Sequence, residues 1–358
     1  MLITSRWFTG VVVLAVLIGV APRLSAQTHD MGPGSGSGPS RLNLSGFADV
    51  AWQKTDESGE PNTFSLGQFT LYPTATLSDR LSMLAEIVIE ADSDNSIHID
   101  LERVLLRYSF SDALSLSAGR YHTAIGYYNT AYHHSSWLQT TIERPLTFAF
   151  EDDAGPLPIH NVGVSAHGAF SGRALRLEYV AEVGNGRSSI PDTDPVQNIR
   201  DDNGSKAFNV ALAVIPRSAP SLRIGGSFYH DTLTPTGQPS QPDSVFDGYV
   251  VYNNATFEFM NEAVWMRRSD GTATTTSPAF YSQISRGFGR WRPYARIERM
   301  DLRTAFSADA VPGRQTLSLA GLRFDFSELA ALKAEYRHND VSGASAINAV
   351  VANVSFTF

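Results

Sequence analysis

Apolar and polar residues alternate along most of the chain beyond residue 41. Leu42, Leu44, Gly46, Ala48, Val50 and Trp52 share one parity, against Asn43, Ser45, Phe47 and Asp49. Leu81, Met83, Ala85, Ile87 and Ile89 oppose Ser82, Leu84, Glu86, Val88 and Glu90, and Leu175, Leu177, Tyr179, Ala181 and Val183 oppose Arg176, Glu178, Val180 and Glu182. Phe208, Val210, Leu212 and Val214 oppose Asn209, Ala211 and Ala213, and Leu332, Ala334 and Tyr336 oppose Lys333, Glu335 and Arg337. Successive side chains of a strand point to opposite faces, so each segment predicts a strand with one apolar and one polar face. No window sustains a 3.6-residue apolar period, which predicts few and short helices.

The pattern predicts about sixteen strands, near 42–53, 63–77, 80–92, 96–110, 113–121, 159–170, 174–185, 206–216, 221–231, 245–253, 255–268, 279–288, 290–302, 314–326, 329–340 and 346–358. If 245–268 is one bent strand rather than a hairpin, the total falls to about fourteen. Parity flips between Leu101 and Val104, which predicts a bulge near Glu102; a similar slip is expected near Gly321. Connectors alternate between short turns, such as Ser111-Asp112, and longer polar loops at 54–62, 122–158, 186–205, 232–244, 269–278 and 303–313. A transmembrane β-barrel has short turns at one rim and longer loops at the other. In lipid the charged parity must face inward, because Arg or Lys at mid-bilayer depth costs about 2–4 kcal/mol. Trp52, Trp265 and Trp291 fall at strand ends on the outward parity, where interfacial aromatics belong.

A soluble all-β sandwich also alternates, and the two chain ends decide between the architectures. At the C-terminus Val350, Ala352, Val354, Phe356 and Phe358 form an apolar face against Val351, Asn353, Ser355 and Thr357. This strand resembles the closing strand of Gram-negative outer-membrane barrels, in which the terminal aromatic is a signal read by the barrel-insertion machinery. The resemblance makes Phe358 the assembly signal. At the N-terminus Arg6, the apolar run Trp7–Val20 and Leu24-Ser25-Ala26 predict a cleaved signal peptide over 1–26. The run is short for a spanning helix, although an uncleaved anchor is the alternative. Residues 27–41, with Gly-Pro-Gly-Ser-Gly-Ser-Gly-Pro, predict a flexible periplasmic linker. Residues 42–358 then form a single outer-membrane β-barrel domain.

Composition narrows the chemistry. The chain has no cysteine, so disulfides and thiolate metal sites play no part. A net charge of −8 argues against a nucleic-acid partner. Lys54, Lys206 and Lys333 are the only lysines, so arginine carries nearly all the positive charge and can form fixed, forked contacts along a wall.

The longest connector, 122–158, is the most individual stretch, and a connector of that length in a compact barrel is usually functional. It follows Gly119-Arg120-Tyr121 and carries His122, Ile125, Gly126, Tyr127, Tyr128, His133, His134, Trp137, Glu143-Arg144-Pro145 and Glu151-Asp152-Asp153. So many aromatic and histidine residues predict burial inside the barrel mouth. The pattern Gly119-Arg120-Tyr121-x-x-x-Ile125-Gly126, followed by Glu143-Arg144-Pro145, resembles the phosphate-selective porin O and P family, best over about 80–170. The resemblance implies a sixteen-stranded porin whose third extracellular loop folds inward as the constriction. It places Arg120, Tyr121, His122, Tyr127, Tyr128, His133, His134, Trp137, Glu143, Arg144, Glu151, Asp152 and Asp153 there. Lysines near the constriction are part of the family pattern, but this loop has none and only Arg120 and Arg144 are basic. Phosphate selectivity is therefore not carried over.

Inward parity assigns Glu86, Glu90, Arg103, Arg107, Arg176, Glu178, Arg223, Arg292, Arg296 and Arg337 to the lumen wall, with Glu182, Glu258, Glu262 and Glu335. A hairpin centred near Asn95 sets Glu86 opposite Arg103. Such charges either impose a transverse field on the pore or stiffen the wall as salt bridges. The acidic end of the long loop, Glu151 to Asp153, is expected to meet wall arginines. Adjacent histidines such as His133-His134 seldom point one way, and no spaced ligand or nucleophile motif accompanies them, so neither a metal, a cofactor nor an enzymatic activity is expected. The expected function is passive diffusion of small polar solutes or ions across the cell outer membrane. A plugged barrel serving binding, adhesion or structure is the alternative. The expected partners are outer-membrane lipid, the insertion machinery and the solutes; the resemblance allows a homotrimer, which no sequence feature requires.

Overall fold

The computed structural model describes residues 41–91, 95–132, 134–151, 153–188, 199–306 and 311–358. The expected signal peptide and linker up to residue 40, His133 and Asp152 lie outside the described residues. Sixteen strands are formed among the described residues: β1 Arg41–Thr55, β2 Thr63–Thr76, β3 Leu81–Ala91, β4 Ile97–Ser111, β5 Leu114–His122, β6 His160–Ser171, β7 Leu175–Gly184, β8 Ala207–Pro216, β9 Leu222–Leu233, β10 Gln241–Asn253, β11 Phe257–Ser269, β12 Thr274–Arg286, β13 Trp291–Leu302, β14 Gly313–Ser327, β15 Ala330–Val341 and β16 Ile347–Thr357. Each pairs antiparallel with its neighbours in sequence, and β1 pairs with β16 to close the barrel. Closure leaves no edge strand whose backbone would face lipid unpaired.

The segment 245–268 is a hairpin, with β10 and β11 in continuous register from Asp243↔Arg268 to Asn253↔Glu258. The expected loops 232–244 and 269–278 are shorter than predicted, because the ladders run on to Leu233↔Gln241 and Ser269↔Thr274. Outward positions such as Leu44, Leu66, Ile99, Leu106, Val164, Leu212 and Ile297 form an apolar outer face. Trp265 and Trp291 stand exposed on that face near strand ends, and Trp52 lies half-buried opposite exposed Phe64.

One expected bulge is present and one is not. The β3–β4 register steps from Glu86↔Arg103 to Ile87↔Leu101, so Glu102 is the extra residue. This keeps Ile97, Ile99 and Leu101 outward together with Val104 and Leu106. Near Gly321 the register does not slip: Ala320, Gly321 and Leu322 pair in step on both sides, and the shift comes at Asp325/Ser327. Leu317 and Leu319 are instead buried inward, opposite Glu298 and Arg296, and a Cβ on Gly321 would strike the Tyr294 ring. The lumen accepts these leucines because it is packed there rather than wet. At the seam Phe358 exchanges two backbone hydrogen bonds with Gly46, at 3.0 Å each, and stacks on Phe69.

The packed core lies inside the barrel. Residues 123–159 turn into the lumen, where Ile125, Tyr128, Tyr132, Phe148, Phe150, Leu157 and Ile159 pack on Tyr229, Val251, Met260, Val264, Met266 and Tyr281 of the wall. On the far side Trp137 stacks on Phe47 with ring centroids 6.1 Å apart, beside Tyr72 and Leu84. Each large side chain buried this way contributes about 1.5–3 kcal/mol, which holds the loop in place without a helix of any length. Its regular structure is one helix, α1 Gly126–Ala131, and a 3-10 turn, Leu146–Phe148.

Candidate functional site

The loop departs at a glycine. Gly119 pairs with Leu105 at φ +135°, and a Cβ there would lie 1.8 Å from the Val104 carbonyl oxygen. The β4–β5 ladder ends at Val104↔Arg120, whereas β5 and β6 stay paired up to His122↔His160. The tip of the β5–β6 hairpin thus leaves β4 and leans over the Glu102 bulge. Arg120 is buried there, and its Nε donates to the Glu102 carbonyl at 3.0 Å. Arg120 therefore holds the bend, and Tyr121 is buried beside it.

The first part of the loop presents backbone N–H groups to acidic wall residues. Ala124 N donates to Glu182 at 2.9 Å and Gly126 N to Ser227 Oγ at 3.2 Å. Tyr127 N and Tyr128 N donate to the two oxygens of Glu262 at 3.0 and 2.8 Å, and Tyr281 OH donates to the same carboxylate at 2.7 Å. These amides belong to the start of α1, where N–H groups lack partners within the helix and an anion is favoured. Gly126 makes the approach possible, because at φ +72° a Cβ would collide with Glu262 and Phe148.

The next part presents carbonyls to cationic wall residues. Lys333, fully buried, donates to the carbonyls of Ser136, Gln139 and Thr141, the last two at 2.8 and 2.7 Å. Arg323 donates to Trp137 O and Gln139 O at 2.9 Å, and Arg296 to Glu143 O and Arg144 O at 3.0 Å. Two amides go back to acids: Ile142 N to Glu335 at 2.6 Å and Leu146 N to Glu298 at 2.5 Å. Arg337 meets Glu143 at 2.6 Å, but the Glu143 side chain is 60 % exposed, so that pair is screened and worth little. Glu298, Arg323 and Lys333 escaped selection from sequence. Their inward parity was readable, but alternation does not tell which level of the wall the loop reaches.

Arg144 ties the loop to itself. Its guanidinium donates to Phe148 O, Tyr132 O and Asn129 Oδ1 and lies over the Phe150 ring at 4.3 Å. Burial brings its pKa down to about 10. Glu151 does not meet a wall arginine, as the sequence suggested. His160 takes it instead, with Nδ1 3.0 Å from Oε2 and the backbone N donating to Oε1 at 3.0 Å. Enclosure in the barrel mouth, with Glu90 and Glu143 nearby, pushes the Asp153 carboxyl up to about 6, although its surface stays open to water.

The predicted wall charges face inward and pair locally. Arg103 Nε meets Glu86 at 2.6 Å, Gln68 donates to Glu90 at 2.5 Å, and Arg107 donates to Ser117 at 3.3 Å. Glu178 bridges Arg176 at 2.8 Å and Arg223 at 2.5 Å, and Arg292 donates to Ser285 at 3.0 Å. Below the loop a cavity of about 630 Å³ runs from the short turns at Arg80 and Asp112 up to Ala124, Gly126 and Thr130, with Arg107, Arg176, Glu178 and Arg223 on its walls.

The structure also assembles a group that no spacing in the chain announces. Glu102, His122, His134 and His160 offer ligand atoms within 4.8 Å of one another. His134 lies flat on Phe150 at 3.7 Å.

No family model and no curated protein matches the sequence. Solved structures do resemble the fold. The anion-selective porin from Comamonas acidovorans superposes with a TM-score of 0.65 at 12 % identity, over 89 % of this chain and 100 % of that one. OmpF of Salmonella typhi, in complex with daunomycin, gives 0.59 at 12 % identity over 88 % and 97 %. OmpT, an outer membrane protein of Vibrio cholerae, gives 0.58 at 11 % identity over 90 % and 99 %. At these identities the likeness is one of fold, and the chain has the sixteen-stranded architecture of a porin-like outer-membrane β-barrel.

Proposed function

We propose that this chain is an outer-membrane porin, a passive diffusion channel for small hydrophilic solutes or ions, whose opening is set by the inward loop 123–159. The observation that carries the reading is the two-sided docking of that loop, amides on wall carboxylates and carbonyls on wall cations, at the level where a constriction controls passage. The polar cavity beneath it, walled by Arg107, Arg176, Glu178 and Arg223, supplies the periplasmic vestibule. The Gly119–Gly126 motif keeps the porin O and P type as the nearest family reading, without its phosphate selectivity. Export through the N-terminal leader, assembly through Phe358 and a non-enzymatic role belong to the same proposal. So does a homotrimer, a form in which OmpT of Vibrio cholerae is described.

One observation favours a second reading. The loop touches the wall at places four to six strands apart around the ring, from Phe47 and Asn353 to Glu262 and Tyr281, as a plug would. Planar-bilayer recording of the full chain separates the two. A porin gives discrete, ohmic conductance steps. A plugged barrel gives none, and silent bilayers containing folded protein would replace the porin reading with a binding or structural one.

A further inference from the structure

We propose that Glu102, His122, His134 and His160 form a binding site for a zinc-class divalent cation that staples the inward loop to the barrel wall. His122 and His160 are the last residue of β5 and the first of β6 and face each other across the ladder. They are the two ends of the loop. His134 comes from the middle of the loop, and Glu102 is the bulged residue of β4. One ion on these four donors would tie both ends of the loop, its interior and the wall at a single point.

Three features of the cluster suit a cation. First, His160 Nε2 lies 2.5 Å from Glu102 Oε2, while its Nδ1 sits 3.0 Å from Glu151 Oε2. With the Nδ1 proton on Glu151, Nε2 of the neutral ring turns its lone pair toward the Glu102 carboxylate, a contact that either a second ring proton or a bound cation resolves. A carboxylate that fixes the far nitrogen of an imidazole is also the usual outer partner of a metal-bound histidine. Second, both nitrogens of His122 are buried without a hydrogen-bond partner. Third, the His134 side chain is 1 % exposed and neither of its nitrogens makes an aligned hydrogen bond; the nearest acceptors are Glu102 at 3.3 Å and Glu90 at 3.7 Å. Buried, unsatisfied imidazole nitrogens are costly, and those of His122 and His134 gather with His160 around the Glu102 carboxylate, an arrangement that a bound cation would satisfy.

Donor chemistry selects the ion. Three imidazoles and one carboxylate suit zinc and its late first-row neighbours, whereas calcium and magnesium require oxygen. Tetrahedral zinc, with bonds of about 2.0–2.1 Å, places its donors roughly 3.4 Å apart, so donors 4.8 Å apart must close by about 1.4 Å and the His160–Glu102 pair at 2.5 Å must open by about 0.9 Å as the ion enters. The carboxylates of Glu90 and Glu151 beside the cluster favour a divalent charge.

The test uses the full chain, folded in detergent, stripped with chelator and titrated with Zn²⁺, with Co²⁺ as a spectroscopic substitute. Heat-modifiable mobility on gels verifies folding of every variant. The expected result is equimolar uptake, intense visible Co²⁺ absorption of a four-coordinate site, and a higher temperature for the mobility shift, since an ion that binds only the folded state stabilises it. His122→Gln and His134→Gln should abolish the spectrum in folded barrels, and His167→Gln and His230→Gln should not. Glu151→Gln should weaken binding by about 10–100-fold, the usual cost of losing an outer-shell partner. His122, only half-buried, is the variant expected to fold if His134→Gln does not. No uptake by stripped wild-type protein would overturn the proposal and leave the cluster as a proton-held ion network. Uptake that persists unchanged in folded His122→Gln would place the ion elsewhere and overturn it equally.

Discussion

The two halves of the inward loop meet the wall with opposite polarity. From Ala124 to Tyr128 the loop gives amides to Glu182, Ser227 and Glu262. From Ser136 to Arg144 it gives carbonyls to Lys333, Arg323 and Arg296, with the Ile142 amide on Glu335 as the exception. The apolar load differs as well. The first stretch packs its tyrosines into the large core against β9 to β12, while between Ser136 and Arg144 the aromatic contact is Trp137 on Phe47. Wall charges in this barrel act on the loop backbone. An irregular segment inside a membrane-spanning wall carries many unpaired backbone groups, and the wall satisfies them by sign.

Substitutions that remove one anchor set should loosen one half only. The largest effect is expected at Glu262, which serves two amides and Tyr281. Glu262→Ala should cost about 3 kcal/mol of loop docking, because bonds to a charged acceptor are worth about 1.5–3 kcal/mol each and water recovers part of the loss. Hydrogen exchange would show it as faster exchange at Tyr127 and Tyr128 with little change beyond Ser136. Lys333→Met keeps the length of the side chain but strips the donor from three carbonyls. It should cost about 1–3 kcal/mol, confined to 136–141. If either variant releases the whole loop at once, the halves form one cooperative unit and the comparison fails.

Smaller effects sharpen the picture. Arg337→Gln should change docking by less than about 1 kcal/mol through Glu143, because that carboxylate is mostly in water. Asp153 has a raised carboxyl pKa, about 6 against an ordinary 3.8. Its contribution to docking is therefore fully present below 3.8 and is lost as the pH rises through 6. Asp153→Asn should flatten the loop's hydrogen exchange between these values, by well under about 1 kcal/mol given the group's access to water. A pH response retained in that variant would locate it in another group.

Much of the barrel was legible because alternation is a direct physical demand of lipid outside and polar surface inside. The Glu102 bulge could be read from the parity flip alone. The Gly321 slip could not be read correctly, because Leu317 and Leu319 face inward onto a packed lumen, and alternation assumes a polar one. The loop's departure was readable from Gly119, but its anchors were not. Lys333 and Glu298 show inward parity like any wall charge, and only the fold reveals the backbone groups they meet. The histidine cluster was missed for a related reason. His133-His134 drew notice as neighbours in sequence, whereas His122 and His160 become partners by flanking the loop across a ladder. Their positions at the predicted ends of strands 113–121 and 159–170 were the signal available.

The central claim is that a wall-pinned loop sets the opening of the barrel. Single-channel conductance of a chain shortened between Thr130 and Thr141, recorded beside the wild type, tests it most directly. Deleting this stretch removes the carbonyls that bind Lys333 and Arg323 and leaves the sixteen strands untouched. The account predicts a folded, heat-modifiable barrel with clearly larger conductance steps and passage of larger neutral solutes. A shortened barrel that folds and conducts no differently from the wild type would contradict it.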